Sequence, residues 1–147
     1  MAALNRPAAD AARRVGVRAA TDVTGFGLLG HLSEMVRASA VSAEIDVESV
    51  PLIKGIRGLA DIGNVPGGTK RNLASVDQML DRGSVDDATT LILADAQTSG
   101  GLLLSIEAPL AEALEQALED AGVSGWRIGR VIERSFAHGP TGQILLR

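Results

Sequence analysis

Glycine placement constrains this chain more than any other feature. Of its 17 glycines, the informative ones gather at Gly25, Gly27 and Gly30, at Gly67 and Gly68, and at Gly100 and Gly101. Glycine weakens helix and strand interiors but permits positive φ and close approach of another backbone. A chain divided this way folds as short elements joined by built loops, and the loops are where function is to be sought. Neither internal repeats nor low-complexity segments interrupt it. Its 147 residues are the length of one ordinary domain, so residues 1–147 are read as a single domain with one core.

Between the loops the apolar pattern changes period. Leu4, Ala8, Ala11, Ala12 and Val15 lie at helical spacing, with Pro7 suited to a first turn and Gly16 to a C-terminal stop, which predicts a helix over 6–15. Val17–Ala20 reads as a short extended piece, 21–27 as a loop, and Leu28, Leu29, Leu32, Met35 and Val36 as one face of a helix running to about Ala38. Alternation over 41–47, ending before Pro51, predicts a strand. Leu52, Ile53, Ile56, Leu59 and Ala60 return to helical spacing up to Gly63. Residues 64–69 read as a loop and 71–76 as extended. The stretch 85–93 is ambiguous in period, with Ser84, Asp86 and Asp87 favouring a capped helix. Residues 95–101 form a second polar loop and 102–106 a buried strand. Leu110, Leu114, Ala117, Leu118 and Ala121 mark a helix entered at Pro109 and closed by Gly122. Residues 126–132 and 143–146 read as two strands joined by a turn around His138, Gly139 and Pro140. No strict βαβ rhythm emerges. The expected class is α+β, with a mixed, largely antiparallel sheet packed with helices.

Composition excludes several roles. With 14 Lys plus Arg against 18 Asp plus Glu the formal charge is -4, so no basic field draws nucleic acid or anionic lipid. Phe26, Phe136 and Trp126 are too few for a base-stacking platform. No apolar run approaches the roughly 18 residues that span a bilayer. Cysteine is absent, which removes disulfides, thiolate metal sites and a cysteine nucleophile from this chain and fits a cytoplasmic setting. The first residues show no charged-then-apolar secretory pattern.

Gly25, Gly27 and Gly30 spell G-x-G-x-x-G, with Asp46 about 20 residues on, the outline of a dinucleotide-binding turn. That mechanism also needs a hydrophobic parallel strand leading directly into the first glycine, whereas Thr21, Asp22 and Thr24 stand there instead. The longer string carries more information. Residues 20–31, Ala-Thr-Asp-Val-Thr-Gly-Phe-Gly-Leu-Leu-Gly-His, closely resemble the segment that opens the C-terminal domain of selenophosphate synthetase (selenide, water dikinase), within the aminoimidazole ribonucleotide synthetase superfamily. Residues 65–72, Val-Pro-Gly-Gly-Thr-Lys-Arg-Asn, resemble that family's P-G-G-T-x-x-N loop, and residues 95–103, Asp-Ala-Gln-Thr-Ser-Gly-Gly-Leu-Leu, its D-P-Q-T-S-G-G-L-L loop. Ala96 stands where the family carries proline, which loosens that loop.

The resemblance implies that the parent protein converts selenide, ATP and water to selenophosphate, AMP and phosphate. It also implies that an N-terminal ATP-binding half, with its own glycine-rich segment, lies outside this chain, and that the full-length protein is a homodimer. The domain would then close the cleft over the nucleotide phosphates. On the family's pattern Asp22 is the metal residue, a carboxylate that suits Mg²⁺ bridging the phosphates of ATP. Its ordinary alternative is to cap a helix. Thr24, Gly25, Gly68, Thr69, Gln97, Thr98 and Ser99 are the candidate nucleotide-binding residues, by backbone approach or hydrogen bonds to phosphate. For the threonines, holding the loops is the simpler role. His31 reads as a satisfied histidine at the edge of a helix stripe, His138 as a solvated turn residue, and Glu112, Glu115, Glu119 and Asp120 as a solvent-facing charge row.

Overall fold

The computed structural model describes residues 4–134 and 142–147. Two apolar clusters organise it, and one two-stranded ribbon serves both. Strands β1 (Ala19–Asp22) and β4 (Leu102–Ser105) pair antiparallel, Ala19 opposite Ser105 and Asp22 opposite Leu102. Because successive side chains in a strand point to opposite faces, Leu102 and Leu104 join one cluster while Leu103 joins the other. A ribbon of two strands is not stable by itself in water, so it depends on what covers it.

The smaller cluster covers one face. Helix α1 (Arg6–Val15) presents Ala8, Ala11 and Ala12, starts with Pro7 in its first turn, and stops at Gly16 with φ 92°. Helix α6 (Ala111–Asp120) presents Leu114 and Leu118 to the same alanines. Small residues on α1 let the two helices approach closely.

The larger cluster lies on a four-stranded sheet ordered β3–β6–β2–β5. Strand β2 (Ser42–Ile45) pairs antiparallel with β5 (Gly129–Ile132) and parallel with β6 (Ile144–Leu146), which pairs parallel with β3 (Leu80–Asp81). Helices α2 (Gly27–Ser39), α4 (Gly67–Val76) and α5 (Asp87–Leu93) bring Leu29, Leu32, Val36, Val76 and Leu93 to Ile45, Met79, Ile144 and Leu146. A short helix, α3 (Ile56–Asp61), lies against α5. The α+β class and the mixed sheet are as expected. Among the described residues two ladders are antiparallel and two parallel.

Several local expectations need correction. Residues 71–76 are helical, not extended, because Thr69, Leu73 and Val76 share one inward face at spacings of four and three. Pro66, at φ -60° and ψ 145°, launches that helix, so Gly67 and Gly68 are its first turn and not a loop. The helical stripe from Leu52 to Ala60 yields only α3, and Leu52, Ile53 and Leu59 are exposed. What fastens α3 is polar, with Arg57 donating to the Thr89 hydroxyl at 2.6 Å and pairing with Asp86 at 3.0 Å. The strand predicted over 41–47 is confined to β2, and Val47 begins a single 3-10 turn. Thr21 and Asp22 belong to β1, since Asp22 still has Leu102 opposite it. The two C-terminal strands form but do not pair with each other, because β2 lies between them. The turn predicted around His138 lies outside the described residues.

Asp86 caps α5, accepting from the Thr89 N–H at 3.0 Å and the Thr89 hydroxyl at 2.9 Å. The Thr89 N–H, then the Thr89 hydroxyl and Arg57, hold its carboxyl down to about 2 from the usual 3.8. A carboxylate depressed on folding stabilises above its unfolded pKa and loses that contribution as pH falls through the folded one. Asp86→Ala is therefore expected to lower stability by about 1 kcal/mol near neutral pH. In urea titrations the gap between variant and parent should narrow as pH falls from the usual 3.8 towards about 2.

Candidate functional site

The three glycine-bearing motifs, far apart in sequence, meet at the open end of the β1–β4 ribbon. The Val23 N–H donates to the Gly101 carbonyl and the Gly100 N–H to the Val23 carbonyl, each at 3.0 Å, so pairing continues one residue past β1. The Gln97 N–H donates to the Thr24 carbonyl at 2.9 Å. From α4, the Asn72 amide donates to the Gly25 carbonyl at 2.9 Å and to the Ala94 carbonyl at 3.1 Å. The Thr69 hydroxyl donates to the Asp95 carboxylate.

Two glycines make this convergence sterically possible. Gly27 has φ 68°, and a Cβ there would lie 2.6 Å from the Ala94 carbonyl carbon and 2.7 Å from the Asp95 oxygen. A Cβ on Gly100 would lie 2.8 Å from the Val23 oxygen. The loop containing Ala96 is thus fixed by backbone bonds without the family's proline.

The candidate residues divide into those used by the protein and those left open. Thr69 is 1% exposed with its hydroxyl committed to Asp95, so it holds the loops. Gln97 is half-buried and donates its side-chain amide to the Asp95 carbonyl at 3.2 Å. Gly25, Thr98 and Ser99 are exposed, and Gly68 is half-buried beneath the Arg71 guanidinium. Neither hydroxyl of Thr98 and Ser99 bonds to the described residues. Asp22 is exposed at the end of β1, and its carboxylate makes no hydrogen bond or ion pair with the described residues. It does not cap a helix. Phe26 occupies the N-cap position of α2, and no side chain bonds to that end.

Sequence reasoning placed His31 at a boundary, satisfied. It is instead buried at 7% exposure, its Nε2 3.1 Å from the Thr24 hydroxyl oxygen and its Nδ1 without a partner. The Phe26 ring, 56% exposed, lies tilted over it at 5.6 Å. The structural role of Asp95 was also missed. A Thr two positions into the glycine motif of α4 and an Asp opening the next polar loop were its only trace.

The dinucleotide alternative does not survive this geometry. Among the described residues β1 pairs only with β4, antiparallel, and it ends at Asp22 ahead of Gly25. Gly30 lies inside α2, where a Cβ would meet that of Phe26 at 2.5 Å. Asp46 is occupied by the Glu48 N–H at 3.2 Å and the Ser49 hydroxyl at 2.6 Å. It closes a turn and offers nothing to a ribose.

Among the described residues no three His, Cys, Asp or Glu side chains gather as a metal centre. No helix of the described residues is long and apolar enough to cross a membrane. The arrangement is a rigid loop platform carrying one free carboxylate, on an α+β domain of two apolar clusters. The family model "AIR synthase related protein, C-terminal domain" matches residues 2–138, and the chain belongs to that family.

The chain is 44% identical over 147 residues to a selenide, water dikinase of Cronobacter sakazakii, covering 100% of this chain and 41% of that protein. It is 47% identical over 134 residues to one of Myxococcus xanthus, covering 89% and 38%. The figure for an Escherichia coli relative of the same name is 39% over 132 residues, covering 90% and 38%. The chain therefore spans about two fifths of the length of these curated relatives, where it matches their C-terminal portion. A thiamine-monophosphate kinase of Stenotrophomonas maltophilia shares the fold at TM-score 0.50 and 23% identity, covering 87% of this chain and 31% of that one.

Glycine replacement separates close approach from mere openness. Gly27→Ala should cost about 2–3 kcal/mol, since it combines a positive φ with a backbone clash. Gly67→Ala, where the nearest atom to an added Cβ is an Arg71 nitrogen at 3.6 Å, should change stability by less than about 1 kcal/mol. Denaturant midpoints of the two variants check both.

Proposed function

We propose that this chain is the C-terminal domain of an ATP-dependent selenide, water dikinase, which makes selenophosphate, AMP and phosphate from selenide, ATP and water. The observation that carries the reading is Asp22. It is a carboxylate without a protein partner, at the edge of a backbone-locked platform, in a chain whose relatives bear that enzyme's name. The domain would form one wall of a cleft completed by the N-terminal ATP-binding domain of the same protein.

A hard divalent cation fits what Asp22 offers. Mg²⁺ accepts one or two carboxylates and fills its octahedron with water and phosphate oxygens, so a single carboxylate here is enough when phosphates supply the rest. Bound there, the ion would neutralise charge on the phosphates of ATP. Gly25, Thr98 and Ser99 would offer exposed backbone or free hydroxyls to the same ligand, Gly68 would approach it beside the Arg71 guanidinium, and Gln97 and Thr69 would keep those groups in place. This chain has no cysteine, so on this reading a sulfur or selenium nucleophile would come from the other domain. The reading carries with it a cytoplasmic enzyme that pairs as a homodimer through its N-terminal domains.

Three experiments test it. A protein of these 147 residues alone should form no selenophosphate from ATP, Mg²⁺ and selenide by phosphorus NMR. It should also bind Mg·ATP no tighter than about 1 mM by calorimetry, because one wall encloses too little of the ligand. Micromolar affinity would instead make the chain a complete binding module. In a protein that includes the N-terminal portion, Asp22→Asn should lower turnover at least about a hundredfold and leave the unfolding midpoint nearly unchanged. A large fall in midpoint with activity intact would make Asp22 structural.

A further inference from the structure

The unpartnered ring nitrogen of His31 decides what the neighbouring Thr24 hydroxyl can do. A neutral imidazole carries one proton, and the nitrogen that lacks it can only accept. The nearest charged group to Nδ1 is the Glu34 carboxylate, 3.9 Å away on the same face of α2, one turn on. Glu34 is 62% exposed, so its side chain is free to swing towards the ring. A carboxylate cannot donate. Beside it a bare Nδ1 would set lone pair against negative charge, whereas a protonated Nδ1 gains an acceptor. That contrast favours the tautomer with its proton on Nδ1 and Nε2 as the acceptor. Across the 3.1 Å contact the Thr24 hydroxyl must then be the donor.

We infer that Glu34, His31 and Thr24 form a relay that turns the Thr24 side chain into an acceptor at the candidate site. Glu34 and His31 are positioning residues. With its proton committed inward, Thr24 Oγ1 has only lone pairs left, so it repels a phosphate oxygen and accepts from a donor. Val23 is buried with both backbone groups paired to Gly100 and Gly101, while Asp22 and Thr24 flank it on the other side of the extended chain. The partner that suits a carboxylate and a hydroxyl acceptor together is a hydrated divalent cation, whose bound water is a strong donor. This last step rests on the proposed role of Asp22. It reassigns Thr24 from phosphate donor to acceptor of cation-bound water.

The test uses the 147-residue chain labelled with ¹⁵N. Long-range ¹H–¹⁵N spectra of the imidazoles, with His138→Gln to assign the second ring, report the tautomer directly. We expect neutral His31 with its proton on Nδ1, and Glu34→Gln should move the Nδ1 resonance. A proton on Nε2 overturns the relay, because Thr24 would then be free to donate. Mn²⁺ alone is the cation probe. It should broaden the amide signals of residues 22–26, and Thr24→Val should weaken the response at least fivefold while Thr24→Ser keeps it. Broadening indifferent to Thr24→Val, or none at these residues, overturns the cation assignment. Inorganic phosphate should shift none of these amides, and a saturable phosphate shift at Thr24 that Thr24→Val abolishes would also overturn it. The tautomer is read without turnover, so its failure is distinguishable from failure of the proposed activity.

Discussion

The reciprocal backbone bonds between Val23 and the pair Gly100 and Gly101 hold this structure to a single arrangement. They continue the β1–β4 ribbon past Asp22, and that ribbon is shared by both apolar clusters. Its Leu102 and Leu104 face α1 and α6, and its Leu103 faces the sheet side. A slip of one residue would exchange the two sets of side chains, since the strand period is two. The register is therefore fixed from both faces at once. The loop bonds at the ribbon's end inherit that fixity.

From this follows an economy of polar groups at the site. Asn72, Thr69 and Gln97 belong to motifs that resemble ligand-binding loops, yet each spends its side-chain donor on a loop carbonyl or on Asp95. A buried hydroxyl left without a partner costs about 1–3 kcal/mol, so Thr69 at 1% exposure has little freedom to serve a ligand as well. On the proposed reading, what these residues provide is preorganisation. Ordering three loops before a ligand arrives removes that entropy cost from binding. The side chains that remain open, Asp22, Thr98 and Ser99, stand on a frame that need not rearrange.

Much of this was legible in the sequence, and the failures have physical causes. Helix α1 announces itself because its apolar stripe, Pro7 and Gly16 agree, α6 by its stripe with Pro109 just before it and Gly122 just after, and α2 by its stripe alone. Helix α4 was hidden because its first turn is Gly67 and Gly68, residues with poor helix propensity, and its inward face includes a threonine. The stripe from Leu52 to Ala60 misled in the opposite sense, since periodicity reports a face and not whether anything covers it. At the site, the three motifs do converge, though the second is the first turn of α4 and not a loop, and spacing alone could not separate Thr69, buried and committed, from Thr98, exposed and free. That difference arises from tertiary packing of α4 on the 94–101 loop. Likewise the contact between Thr24 and His31 spans a loop and the first turn of a helix, which no fixed period predicts.

The free groups also set the kind of ligand chemistry this domain can contribute. Asp22 and the lone pairs of Thr24 are acceptors, Asp95 adds a further carboxylate already engaged by Thr69, and the open hydroxyls of Thr98 and Ser99 are neutral donors. On a chain of net charge -4, such a surface does not attract a polyphosphate by itself. It attracts one only after a cation has been placed, or when donors are supplied from another wall. Lys70 and Arg71 on the exposed side of α4 are the nearby exceptions, and Arg71 folds back over Gly67 and Gly68. On the proposed reading, a wall built this way would be selective for geometry and weak in affinity. It would close on a metal-bearing ligand already held elsewhere, where a rigid acceptor at a fixed position counts for more than an additional attractive contact.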